Sequence, residues 1–306
     1  MTEPAYRPVN KSAHESVHES AHDPAQDPAP GPTPFGPALR TLPLAAPLHW
    51  LLLGWRDFIR CPGIGLFYGA CFMGMGWLLM AVFEHAPAYV LALSAGFLLT
   101  GPFLCLGLYD ASRRLERGES PDLGNSLLAW QQRGGTLAVF GLLLLVLELL
   151  WGRVALIIFA VSFDGMPDFK GSLLALVNPD NLAFIAAYGL VGGLFAGLIF
   201  GVSVVSLPML LDRPSDAISA GLTSLRLVLT QPAVMLLWGA LITLTVLLAM
   251  LPWFAGLLVA GPVLGHASWH AYRAAVADPV ADPVADPVVD PVVNLIADPV
   301  ADPGAD

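Results

Sequence analysis

Residues 134–157 read GGTLAVFGLLLLVLELLWGRVALI, twenty-four residues with two charges, Glu148 and Arg153. As a helix rising ~1.5 Å per residue, this run is roughly 36 Å long, enough to cross a ~30 Å hydrocarbon core. Outward from it, comparable apolar runs cover 63–83, 86–109, 182–211, 233–252 and 254–272. The 306-residue chain is 56% hydrophobic and only 12% charged, with a mean hydropathy of +0.68. An ordinary soluble domain carries about 25% charge. Composition thus excludes a water-soluble enzyme and predicts an all-α polytopic membrane helix bundle with six transmembrane helices.

The net charge of −10 belongs to the two ends. Residues 1–34 hold five acids against Arg7 and Lys11, and the stretch from Ala277 holds seven Asp and no base. The remainder is neutral, which argues against nucleic-acid binding. Both ends repeat in fours (AHES, VHES, AHDP; later ADPV, ADPV, ADPV). Pro at every fourth position forbids a helix and Asp keeps the segment hydrated. The expected organisation is a disordered tail at 1–44, a six-span membrane domain at 45–275 and a disordered Asp-Pro tail at 276–306. Cys61, Cys71 and Cys105 lie in or beside apolar runs, where buried thiols in a reducing compartment are expected.

Orientation follows from Lys and Arg near the span ends. Arg56, Arg60, Arg113, Arg114, Arg117, Arg133, Arg213, Arg226 and Arg273 fall on one side, against Lys170 and Arg153 on the other. This predicts a bacterial inner-membrane protein with both termini cytoplasmic and the 158–181 loop external. Three shorter stripes read as amphipathic helices in the inner headgroup layer. They are Leu48, Leu51, Leu52, Trp55, Phe58 and Ile59; Leu123, Leu127 and Trp130; and Ile218, Leu222, Leu225 and Leu229.

Arg56 through Pro62 to Tyr68-Gly69-Ala70 aligns without gaps on Arg226, Pro232 and Trp238-Gly239-Ala240. Gly96 to Pro102 aligns on Gly256 to Pro262 in the same way, and Pro208 holds the corresponding place in the fourth span. The chain is therefore expected to be three repeats of interfacial helix plus two spans around a pseudo-threefold axis. Pro102, Pro208 and Pro262 should kink their helices. Gly189, Gly193, Gly197 and Gly201 share one face of the fourth span, where another helix backbone can pack closely. Gly65/Gly69 and Gly261/Gly265 are weaker instances.

Chemistry-bearing residues are few. Nucleotide-binding loops, a nucleophile elbow, CxxC pairs and HExxH are absent, and no catalytic residue, metal or cofactor is expected. His266 and His270 share a helix face; a metal ion or hydrogen bonds to a neighbouring helix would each use them. Glu148 lies deep in the third span with Arg153 nearby, and intramembrane charge is costly and often functional. Since both break the repeat at compatible depth, Glu148 and His266 are expected to share a proton or cation. Asp110/Arg113, Asp212/Arg213 and His270/Arg273 mark the inner ends of three spans, as a gate or as headgroup anchors.

The runs Trp50–LLLG–Trp55–Arg56–Asp57–Phe58, GFLLTGP at 96–102, Gly107–LYDAS–Arg113–Arg114–Leu–Glu116–Arg–Gly118, Pro208–MLL–Asp212–Arg213 and Gly265–HASWHAY–Arg273 resemble the bacterial integral-membrane family called domain of unknown function 2189. The resemblance covers about residues 45–275 and implies a polytopic inner-membrane protein without an assigned activity. Some relatives carry a cytochrome c oxidase subunit I name. A haem–copper subunit needs histidines from several helices, and here His266 and His270 share one. The most specific functional reading is a small-solute transporter or channel with a central path. The alternative is a non-transporting scaffold or regulator that binds lipid or a partner membrane complex through its interfacial helices. A polar, water-filled centre favours the first and a filled apolar centre the second.

Overall fold

The computed structural model describes residues 36–86, 90–162 and 182–277. The expectations for the repetitive tails, and for the loop around Lys170, fall outside those residues. The regular elements are all helical. They are α1 (Ala46–Arg60), α2 (Pro62–His85), α3 (Val90–Glu116), α4 (Leu123–Leu127), a 3-10 helix (Ala129–Arg133), α5 (Gly134–Ser162), α6 (Leu182–Ser203), α7 (Ser206–Asp212), α8 (Ala217–Thr230), α9 (Pro232–Met250) and α10 (Leu257–Ala275).

Four helices among the described residues are long and apolar enough to cross a membrane: α2, α5, α9 and the broken helix Leu182–Asp212 formed by α6 and α7. The predicted spans 86–109 and 254–272 fold as helices but do not join that set. For α10 the reason is chemical, because His266, Ser268, His270 and Arg273 dilute its apolar run. Instead of facing lipid it is the hub of the bundle, wrapped by α1, α2, α3 and α9.

Proline sets the breaks. Pro208 cannot donate to the carbonyl of Val204, and the helix opens at Val204–Val205. Serines take up the loose ends: Ser206 Oγ–H lies between the carbonyls of Val202 and Ala220, either of which can accept its one proton, and the Val205 amide donates to Ser224 Oγ at 3.4 Å. Pro102 and Pro262 instead sit inside continuous helices. Proline also opens α2 and α9, and the residues before it have matching backbones: φ −131°, ψ 59° at Cys61 and φ −131°, ψ 56° at Gln231. At the corresponding point before α5, Arg133 is the last residue of the 3-10 helix, which runs without a break into α5 at Gly134, so that junction is continuous. The α9–α10 hairpin is as short as its sequence suggested. Its turn holds Trp253 and Phe254 at φ 53° and 63°, a left-handed conformation strained for aromatic residues.

The interfacial segments pack in a regular order. α1 lies on α10, α4 on α3, and α8 on α6 and α7. The inward faces differ from the stripes of large apolar residues. On α1 the buried face is Ala46, Pro47, Trp50, Gly54, Asp57 and Phe58, while Leu48, Leu52, Trp55 and Ile59 point out. On α8 it is Ala217, Ala220, Gly221, Thr223, Ser224 and Leu227, while Ile218, Leu222 and Leu229 are exposed. Asp216 caps α8, accepting from the amides of Ile218 and Ser219 at 3.0 and 2.8 Å. The Ser219 hydroxyl first, and then those amide bonds, hold its carboxyl below the usual range.

Two expectations are corrected here. Part of the segment assigned to the N-terminal tail is docked. Leu39 is buried and bridges Val276, the Arg40 amide donates to the Ala275 carbonyl at 2.9 Å, and the Ala277 amide to the Ala38 carbonyl at 3.0 Å. The glycine stripe of the fourth span is also not the tight seam. A Cβ on Gly189, Gly193 or Gly197 would meet nothing within 4 Å, and one on Gly201 would touch only Leu225. Closer approaches include Gly54 and Gly69 against the α10 backbone, Gly65 against Phe58, Gly76 against Phe254, Gly261 against Phe72 and Gly265 against Leu108.

Candidate functional site

α1, α3 and α10 cross where Gly54 lets two backbones touch, and that approach brings four polar side chains together. Asp57 comes from α1, Ser112 from α3, and His266 and His270 from successive turns of α10. Asp57 is 4% exposed and His266 is fully buried. His270 Nε2–H donates to Asp57 Oδ2 at 2.7 Å. Ser112 Oγ–H donates to the same oxygen at 2.8 Å. A hydroxyl has one proton, so the 2.8 Å bond between Ser112 and His266 must be donated by His266 Nδ1–H. Nε2 of His266 then carries the lone pair, and it has no hydrogen-bond partner among the described residues.

The electrostatics of Asp57 are those of a satisfied buried charge. Burial raises its pKa, but the His270 hydrogen bond and charge, the Ser112 hydroxyl and the proximity of His266 outweigh that and leave the carboxyl below the usual value. The next turn adds Cys61, whose Sγ–H donates to the Asp57 carbonyl at 3.2 Å. Burial, with the Asp57 charge nearby, pushes that thiol up to about 11, so it is an inert thiol. Cys61, Cys71 and Cys105 are all free.

A second network lies at the ends of α3, α7 and α10. Asp110, 1% exposed, accepts from Arg113 and Arg114 of its own helix, and Arg113 reaches on to the Leu211 carbonyl at 3.2 Å. Arg213 Nε donates to the Tyr272 hydroxyl at 2.7 Å, which donates to Asp212 Oδ2 at 2.8 Å. Arg273 pairs with Glu116 at 3.0 Å and lies 3.7 Å from Asp212, and Trp269 Nε1 donates to Glu116 at 3.0 Å. All five residues expected at the inner ends thus fall in one network. With Arg114, Glu116, Tyr272 and the Leu211 carbonyl they clamp three helix ends together.

The intramembrane pair is corrected. His266 is bonded to Ser112, whereas Glu148 lines a separate cavity between α5 and α6. Glu148 forms no hydrogen bond or ion pair among the described residues, with His266 or with Arg153, which is exposed. No group of three or more His, Cys, Asp or Glu among the described residues is placed to hold a metal ion. His270 is tied to Asp57 instead.

Residues 90–212 match the family described as "Predicted integral membrane protein (DUF2189)". The DUF2189 segment runs from α3 through α7 and so contains Ser112, Asp110, Arg113 and Asp212. Asp57 precedes it, and His266, His270 and Arg273 follow it. The match is narrower than the stretch over which the sequence resembles the family. No curated protein and no solved structure matches the chain.

Sequence reasoning missed Asp57 and Ser112. In sequence Asp57 reads as one more charge beside Arg56 and Arg60, opposite the apolar stripe of α1. The spacing Trp50, Gly54, Asp57, Phe58, Cys61 is itself a helical stripe, and a single acid on a stripe with a small residue was the available signal.

Proposed function

We propose that this is a multi-pass inner-membrane protein with both termini on the cytoplasmic side, which works as a non-transporting scaffold or regulator. It holds anionic lipid on its interfacial helices α1 and α8. The repeat reading fits the same picture. α1 on α10, α4 on α3 and α8 on α6–α7 is a cyclic order in which each interfacial segment rests on the last span of the preceding unit. The matched junctions at Cys61 and Gln231 support the first and third units; the continuous junction at Gly134 leaves the middle unit the most divergent.

The observation that carries the reading is the filled interior. Trp50, Trp238, Trp269, Tyr272, Phe140 and Leu210 are all under 2% exposed, and Trp50 and Trp238 meet edge to face at 5.5 Å. That leaves the interior filled with side chains where a solute path would need water and polar walls. What faces outward is suited to lipid. Leu52, Trp55 and Ile59 beside the exposed Arg56 and Arg60 would sink into the headgroup layer, with the cations at phosphate level. A groove of about 270 Å³ between α5 and α8, lined by Val139, Leu142, Val146 and Ile218, would take an acyl chain.

The test is native mass spectrometry of the full chain from anionic and zwitterionic membranes, beside a shrinkage assay of proteoliposomes in salts and small polyols. Retained anionic lipid that falls in Arg56→Gln/Arg60→Gln, without solute flux, is expected. Protein-dependent flux would restore the transporter reading.

A further inference from the structure

The cavity beside Glu148 goes beyond that reading, because a lipid scaffold has no use for an acid there. Glu148 is the midpoint of α5, fourteen residues from Gly134 and fourteen from Ser162, so it lies near the middle of the membrane. Beside it α3, α5 and α6 line an open-sided cavity of about 460 Å³, within the range of small-molecule sites. Its walls are apolar and aromatic: Trp151, Phe195 and Phe200. The rings of Trp151 and Phe195 are 5.7 Å apart, and Gly192 provides the room, since a Cβ there would come within 3.0 Å of the Trp151 ring.

An acid without a partner among the described residues is expensive in such surroundings, and a cation is what offsets the expense. Aromatic faces add to the attraction, since their quadrupoles favour a cation, an ammonium ion most of all when it is desolvated. Among the described residues no Lys or Arg lines the cavity, and Arg153 is exposed elsewhere on α5. We infer that the Glu148 cavity is a binding site for a lipophilic ammonium cation, with the carboxylate as counter-charge and Trp151, Phe195 and Phe200 as the ring-lined wall. A metal ion or hydrated inorganic cation does not suit it, because one carboxylate cannot replace a hydration shell. The long hydrocarbon arms of a tetraalkylammonium ion fit walls that offer little else.

The experiment uses the full chain in zwitterionic nanodiscs and tetrapentylammonium as the probe, with empty nanodiscs as the partition baseline. Saturable binding above the baseline is expected for the wild type. Glu148→Gln, which keeps the shape and removes the charge, should weaken it at least tenfold. Ala196→Leu, which keeps the charge and fills the cavity from α6, should abolish it. Circular dichroism and melting of both variants show that the fold is retained. Wild-type uptake no greater than that of empty nanodiscs, or equal affinity in Glu148→Gln, overturns the assignment.

Discussion

Gly69 of α2 lies against the carbonyl of Leu258 in α10, the carbonyl that Pro262 leaves without its usual amide donor. A Cβ on Gly69 would overlap that oxygen. Proline opens the carbonyl and glycine lets a neighbouring backbone close over it, which is how a bundle in lipid gains packing that the hydrophobic effect does not supply. Gly54 does the same for α1: a Cβ would stand 2.5 Å from the Val263 carbonyl and 2.7 Å from the Ala267 amide. Gly54→Ala and Gly69→Ala should each cost about 1–3 kcal/mol through overpacking. Gly193→Ala, with open space around it, should cost nothing measurable. Melting of the detergent-solubilised protein distinguishes them, and equal effects at Gly69 and Gly193 would refute the assignment of the tight seam.

Asp57 gives a pH signature. Its folded carboxyl lies below the ordinary aspartate value of 3.8, so its contribution is fully present above that value. The contribution is lost as pH falls through the lower folded value. Asp57→Asn should therefore melt below the wild type at neutral pH, and the gap should close below about pH 4. Asp57→Ala, which orphans Ser112 and His270, should cost about 3–5 kcal/mol at neutral pH. A gap that widens in acid would mean that the cluster stabilises through a protonated Asp57.

The apolar runs and their prolines were legible because helix length and hydropathy are local properties. The outward stripes of α1 and α8 were legible too, because the amphipathic pattern sets Leu52, Trp55, Ile218 and Leu222 toward the headgroup layer, and these residues are exposed. The opposite face was not, because Gly54, Asp57, Ala220 and Gly221 carry no mark that names the helix they pack against. Spacing likewise shows that Gly189, Gly193 and Gly197 permit close packing, but permission lies in one helix and the partner in another. The network of Asp110, Arg113, Asp212, Arg213 and Arg273 was readable as a set, since charges gather at the ends of apolar helices. Tyr272, which bridges Arg213 to Asp212, carried no such mark.

Gln231, the junction residue before α9, clips the N-terminal segment. Its Oε1 accepts from the Leu42 amide at 2.8 Å and its Nε2 donates to the Arg40 carbonyl at 2.9 Å. Gln231→Ala removes both bonds, together about 1–3 kcal/mol of local stability. Hydrogen exchange at the Leu42 amide should rise, while amides in the middle of α9 keep their protection. Unchanged exchange at Leu42 would show that the Leu39–Val276 bridge holds the segment by itself.

Tyr272 and Arg273 are neighbours in one network, and they should differ in an order opposite to their charge. Tyr272 is fully buried, and its hydroxyl both accepts from Arg213 and donates to Asp212. Tyr272→Phe leaves a guanidinium and a carboxylate each short of a partner, at about 1–3 kcal/mol. Arg273 is a full charge, but its 3.0 Å pair with Glu116 joins side chains 28% and 41% exposed. Solvent screening and side-chain entropy reduce such a pair to about 0–1 kcal/mol, and salt reduces it further. Melting in low and high salt should show Tyr272→Phe as the larger loss in both conditions. The Arg273→Ala loss should shrink as salt rises. If Arg273→Ala proves the costlier substitution, the clamp is held by its ion pairs and not by the buried hydroxyl between Arg213 and Asp212.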